Sequence, residues 1–187
     1  MTTLTVWRED APNAPETVTR DAGEIATLLE AAGIRFERWN AGAALAADAD
    51  QDAVLRAYAD DIARLQREGG YATADVVRLP KGTPNTGPMR EKFLAEHTHS
   101  EDEVRFFVEG SGAFYLRIGG KVYQVVCERD DLLGVPAGTR HWFDMGPDPH
   151  FAAIRLFTDT EGWVAEFTGD SIAARFPQYE SADAWRD

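Results

Sequence analysis

The chain has 187 residues, 32 acidic against 19 basic side chains, a formal net charge of −13 and one cysteine, Cys127. That length suits a single domain with a sizeable core and no need of disulfides or structural metal, and a lone thiol fits a reducing cytoplasm. With no basic stripe, no apolar run of membrane-span length and no signal-peptide pattern at Met1-Thr2-Thr3-Leu4, the expectation is a soluble cytoplasmic monomer that binds neither nucleic acid nor membrane.

Taken in order, 3–7 reads as a short strand, followed by a polar, proline-containing loop through Arg20. From Asp21, Ile25, Leu28 and Leu29 recur at helical spacing and Gly33 stops the helix; 34–39 is another short strand. One helix is expected from about Asp50 to Gly69-Gly70, with Val54, Leu55, Tyr58, Ile62 and Leu65 on one face and Asp60, Asp61, Arg64 and Arg67 on a solvated one. Next come a strand at 75–79, a loop from Pro80 to Pro88 and a helical turn over 89–95. Short strands then crowd together at 103–109, 113–118, 121–127, 131–135, 142–144, 151–157 and 163–167, with Gly119-Gly120 marking a tight hairpin. Such a run indicates a β sandwich or barrel. A short helix is expected at 171–176.

Three of the four histidines fall at two sites within this β-rich part, His97 and His99 before the first of its strands and His141 later. Side chains alternate along a strand, so His97 and His99 point the same way, and Glu103 rejoins that face after a turn through Ser100-Glu101-Asp102. His141 follows Pro136-Ala137-Gly138, a tight turn because proline fixes φ and glycine accepts positive φ. Three imidazoles and a carboxylate suit iron, nickel, manganese, cobalt or zinc, with no thiolate to favour a closed structural zinc site. Four protein ligands on an octahedral ion leave two positions for substrate oxygens. Arg105, two residues beyond Glu103, shares the ligand face.

The string from Glu96-His97-Thr98-His99 through Glu103-Val104-Arg105-Phe106-Phe107-Val108-Glu109-Gly110, with Pro136-Ala137-Gly138-Thr139-Arg140-His141-Trp142-Phe143-Asp144, resembles the two cupin motifs and, in its fuller form, the acireductone dioxygenase family. Two positions depart from the broad cupin pattern: Asp130 stands where a glycine is usual, and Met145 where an asparagine is. The resemblance implies a mainly β fold, a cupin jelly-roll barrel with α-helices in the N-terminal third and a short C-terminal helix. On it, 1–187 is one cupin domain: 1–74 an extension packed on the barrel, 75–169 the metal-binding core and 170–187 a tail.

It further implies one Fe(II) or Ni(II) per chain on His97, His99, Glu103 and His141, and cleavage of acireductone by O2 in methionine salvage. The iron form implies the keto-acid precursor of methionine and formate; the nickel form implies methylthiopropionate, carbon monoxide and formate. Arg105 takes the role of favouring the substrate dianion, Glu96 a part in metal incorporation, Asp102 a conformational relay, and Phe93, Phe143 and Trp163 the walls of the substrate pocket. Each has a plainer reading. Arg105 could be a structural ion pair, Glu96 and Asp102 surface or supporting carboxylates, and the aromatics core packing. His150 reads as a surface residue and Cys127 as a small buried hydrophobe. Two other classes share the claw: a sugar isomerase, against which the lack of a basic cluster for phosphate counts, and a non-enzymatic binding cupin, since fold alone does not fix activity.

Overall fold

The computed structural model describes residues 1–159 and 164–180. The elements are β1 Thr3–Arg8, β2 Pro15–Thr19, α1 Ala22–Ala31, β3 Arg35–Arg38, α2 Gln51–Ala57, α3 Ala59–Gly69, β4 Thr73–Leu79 and α4 Gly87–Leu94. They continue with β5 His97–Thr98, β6 Glu103–Ile118, β7 Lys121–Glu128, β8 Asp131–Val135, β9 Arg140–Asp144, β10 His150–Phe157, β11 Glu166–Phe167 and a 3-10 turn, Ile172–Arg175.

One strand belongs to both halves of the architecture. The first part of β6 lies between β8 and β10, which pair onward with β3 and β4; its second part lies between β9 and β7, which lead to β5 and β11 on one side and β1 and β2 on the other. The expected strands 103–109 and 113–118 are therefore a single bent strand. Its register with β10 slips between Ala152 and Ala153, leaving Val108 as an extra residue. Such a bulge bends a strand and reverses its alternation. Glu103, Arg105 and Phe107 face inward before the bulge, whereas Phe114 and Leu116 do so after it. Gly110 enables the bend: its φ is +62°, and a Cβ there would lie 1.7 Å from the His150 carbonyl oxygen.

The ladder does not close on itself; the two halves face one another across a shared core. Phe107, Leu133, Phe151 and Ala153 from the first meet Leu4, Phe114, Val125 and Phe143 from the second. The outer face of the first half, Val104, Phe106, Leu132 and Ile154, is covered by α2 and α3 through Val54, Tyr58 and Leu65. The outer face of the second, Tyr115, Val122 and Trp142, is covered by Ile172, Phe176 and Tyr179. Each fully buried large apolar side chain contributes roughly 1.5–3 kcal/mol of transfer free energy, so both flanking segments are integral to the core.

Several expectations are corrected. The proline-containing loop holds β2, because Pro15 opens an edge strand where its missing N–H is harmless. The helix from Asp50 is two, broken at Tyr58 (φ −116°, ψ 24°), whose ring packs edge-on against Phe106 at 5.6 Å. The loop from Pro80 ends early, at Gly87, because Pro88 suits the first turn of α4. The C-terminal helix is a single 3-10 turn, and of the strand expected at 163–167 only Glu166–Phe167 forms among the described residues, Val164 and Ala165 lying outside it. Asp130, in place of the usual glycine, keeps the glycine-like backbone at φ 81°. Its side chain accepts from Ala41 N at 2.8 Å, a long-range bond that ties this turn to the segment after β3, and aspartate is among the residues that tolerate that region. Met145 is buried in the shared core. None of the described helices is long and apolar enough to cross a membrane.

Candidate metal centre

β5 and β9 bring the two histidine sites together, with His97 directly opposite His141 in the ladder. The ring centroids lie 4.4 Å apart for His97 and His141, 5.2 Å for His97 and His99, and 5.4 Å for His99 and His141. One nitrogen from each ring falls within 4.8 Å of the others. The turn before β9 is tied in place by two bonds, Gly138 N to the His99 carbonyl at 2.9 Å and Ala137 N to Asp102 Oδ1 at 2.8 Å.

Each imidazole is oriented by a backbone carbonyl at its Nδ1: Ala95 for His97 at 2.8 Å, Val164 for His99 at 3.1 Å and Thr139 for His141 at 2.8 Å. Where Nδ1–H donates, the proton is fixed on that nitrogen and the lone pair of Nε2 is free to bind a cation. Glu103 completes the group. Its Oε2 stands 3.4 Å from His99 Nε2 and 3.8 Å from His141 Nε2. Among the described residues, neither Glu103 Oε2 nor His141 Nε2, both buried, has a hydrogen-bond partner.

Electrostatics sharpen this arrangement. Burial lowers His97 below its ordinary value and pulls His141 down to about 3, so both rings are neutral near pH 7. Burial pushes the Glu103 carboxyl up, but the Arg105 guanidinium together with His141 and His99 outweighs it and the group sits at about 2. Glu103 Oε1 accepts from Arg105 Nε, leaving Oε2 for the imidazoles. An ionised oxygen buried beside the neutral His141 ring with no donor is costly. Three imidazole nitrogens within 4.8 Å of one another, with a carboxylate oxygen beside two of them, are a donor set that suits a divalent cation, and the residues fit such an ion.

Arg105 is buried, with its guanidinium carbon 4.8 Å from the Phe114 ring centre and 5.5 Å from that of Phe143. Both expected features of Arg105 are thus present, the inward placement and an ion pair to an inner carboxylate. Phe143 is seated on Gly112, where a Cβ would come within 2.4 Å of the ring, and Phe93 meets it edge-on at 6.0 Å. Glu96 is buried but turned away from the cluster. It accepts from Arg117 at 3.2 and 3.4 Å and from the Thr168 hydroxyl at 2.7 Å, and Arg117 also binds Glu9 and Asp170. Trp163 lies outside the described residues. His150 is exposed beside Glu109, and Cys127 is buried in the core.

Sequence reasoning missed four neighbours of the site. Arg155 stands opposite Arg105 in the ladder and is held by Asp75 at 2.8 and 2.5 Å. Phe157 packs edge-on against His99 at 5.7 Å and Phe167 against His97 at 5.8 Å, while Phe114 lies 6.3 Å from His141. Two-residue alternation along β10 places Arg155 and Phe157 on one face, a signal legible once the partner strand is known; Phe114 is hidden behind the bulge.

A two-halved β fold with imidazoles and a carboxylate converging between its faces defines the metal-dependent cupin class of enzyme. The model of the ARD/ARD' family matches residues 3–165. An acireductone dioxygenase of Parvibaculum lavamentivorans is 61% identical over 181 residues, covering 97% of this chain and 98% of that protein. One from Pseudomonas aeruginosa is 57% identical, covering 96% and 99%. Among solved structures, an acireductone dioxygenase from Bacillus anthracis with a cadmium ion in its active centre superposes with a TM-score of 0.76 at 30% identity, over 89% of this chain and 98% of that one. The chain belongs to the ARD/ARD' family.

Proposed function

We propose that this chain, acting as one cytoplasmic cupin domain and as a monomer, is the dioxygenase that cleaves acireductone, 1,2-dihydroxy-5-(methylthio)pent-1-en-3-one, with O2 in methionine salvage. The observation that carries the reading is the unpartnered Glu103 Oε2 facing imidazoles whose outer nitrogens are already committed to carbonyls. His97, His99, Glu103 and His141 would hold one divalent ion. Such an ion supplies Lewis-acid chemistry and a template for the paired oxygens of an enediolate.

The rest is done by the protein. Burial lowers the Arg105 guanidinium from its ordinary value while the Glu103 carboxylate opposes the shift, so it is a cation near pH 7, and a fixed cation beside an enediol lowers its second pKa and favours the electron-rich dianion. Phe114 and Phe143, against the guanidinium, keep water from that charge and so strengthen its effect. Asp102 joins the loop before Glu103 to the turn before His141, so that a shift on one side of the site is felt on the other. Glu96, braced by Arg117 and Thr168, fixes the start of the segment that carries His97 and His99 and would act during metal incorporation.

Three imidazoles and a carboxylate accept either of two metals. With iron(II) the proposed products are 4-methylthio-2-oxobutanoate and formate; with nickel(II) they are 3-methylthiopropionate, carbon monoxide and formate. The test is oxygen uptake by iron-loaded protein given acireductone, with product identification. Uptake well above the metal-free control supports the reading, and uptake equal to that control rejects it.

A further inference from the structure

Helix α4 is weakly attached by ordinary criteria. It spans eight residues, buries none of them completely and has no side-chain cap, and so short a helix has little stability of its own. Its firm tether is Arg90. The guanidinium grips Asp144 through Nε to Oδ1 at 2.7 Å and Nη2 to Oδ2 at 3.1 Å. Asp144 is fully buried at the end of β9, and its oxygens also accept from Gly146 N and Tyr179 N, each at 2.9 Å. Arg90 Nη2 donates as well to the Tyr179 carbonyl at 3.1 Å and to Gln178 Oε1 at 3.3 Å.

The neighbours in sequence give the pair its meaning. Phe143, next to Asp144, points into the core beside Arg105, while Phe93 is one helical turn beyond Arg90 and meets the Phe143 ring. β9 is held by the ladder between β5 and β6, whereas α4 meets β9 through side chains, Arg90 on Asp144 and Phe93 on Phe143. We propose that the Arg90–Asp144 pair is a positioning device for substrate selection: it pins α4 so that Phe93 and Phe143 form a fixed apolar wall beside Arg105, shaped for the side chain of an enediol rather than for its oxygens. This rests on the dioxygenase reading above and deepens it. A wall that merely accepts an apolar tail acts on binding, so its loss should appear in KM more than in kcat.

The experiment compares iron-loaded wild type and Arg90→Met by steady-state oxygen uptake. The two substrates are acireductone with its methylthioethyl arm and an analogue with a methyl group in place of that arm. For the full substrate KM should rise about tenfold with kcat within twofold; for the short analogue both constants should stay within twofold, and metal content should be unchanged. Arg90→Lys, which keeps the charge but loses the fork, should give an intermediate KM. Equal losses on both substrates, or a fall in kcat with KM unchanged, would overturn the proposal. If Arg90→Met does not fold, the same two-substrate ratio read on Arg90→Lys decides, and an unchanged ratio counts against it. Failure of wild type on both substrates would instead sink the dioxygenase reading.

Discussion

Glu96 and Glu103 are both about 1% exposed, both paired with an arginine and both close in sequence to the same histidines. They differ in what remains after the pairing. Every oxygen of Glu96 has a donor, from Arg117 or Thr168. Glu103 spends Oε1 on Arg105 and leaves Oε2 bare beside the imidazoles. Burial therefore does not distinguish a carboxylate that braces the fold from one proposed to hold an ion. Satisfaction of the second oxygen does.

Removing the bare oxygen should have the largest effect. Glu103→Ala is expected to lower bound metal at least tenfold, by elemental analysis, and to abolish oxygen uptake; full metal retention would place the ion elsewhere. Arg105→Ala tests the other side of the same pair. Metal content should stay near that of wild type while kcat/KM falls about a hundredfold, near 2.7 kcal/mol of transition-state stabilisation. Unchanged turnover would reduce Arg105 to a structural partner of Glu103.

The braced carboxylate should answer differently. Arg117→Met strips buried Glu96 of its part-buried charged partner, and leaving that carboxylate uncompensated costs up to roughly 3 kcal/mol. Denaturant midpoints should fall accordingly, while turnover by the metal-loaded folded protein stays within about threefold. A normal midpoint with lost turnover would reverse the roles assigned to the two glutamates.

The mildest probe is pH on metal-free protein. Unfolded, His141 takes up a proton near 6.5 and Glu103 near 4.5; folded, they do so only near 3 and 2. The unfolded chain thus binds more protons as pH drops. The stabilising share of Glu103 is intact above about 4.5 and lost on the way to 2, and the cost of charging buried His141 sets in below about 6.5. Each group contributes at most about 1.4 kcal/mol per pH unit. His141→Gln should flatten the decline between 6.5 and 4.5 in urea midpoints, and an unaltered slope would contradict a buried neutral ring.

Much of this was legible in the chain itself. The ligand spacing, the Pro-x-Gly turn and the amphipathic run at Ile25, Leu28 and Leu29 are local patterns, and local patterns survive folding. What escaped reading depended on partners distant in sequence. The bulge at Val108 exists only against β10, yet it decides that Phe114 rather than Tyr115 faces the site. Arg155 gains its meaning from Arg105 across the ladder and from Asp75 on the next strand. Pro15 suggested a loop because its tolerance at an edge strand depends on β1. The contrast between Glu96 and Glu103 was equally hidden, since Thr168 and Arg117 lie far from Glu96 in the chain.

The most direct test is X-ray absorption at the iron edge of the loaded protein, paired with its stoichiometry. The account predicts one ion per chain with a coordination shell containing three imidazoles and a carboxylate oxygen, the oxygen contribution falling in Glu103→Gln. A shell with fewer than three imidazoles, or one identical in that variant, would contradict it.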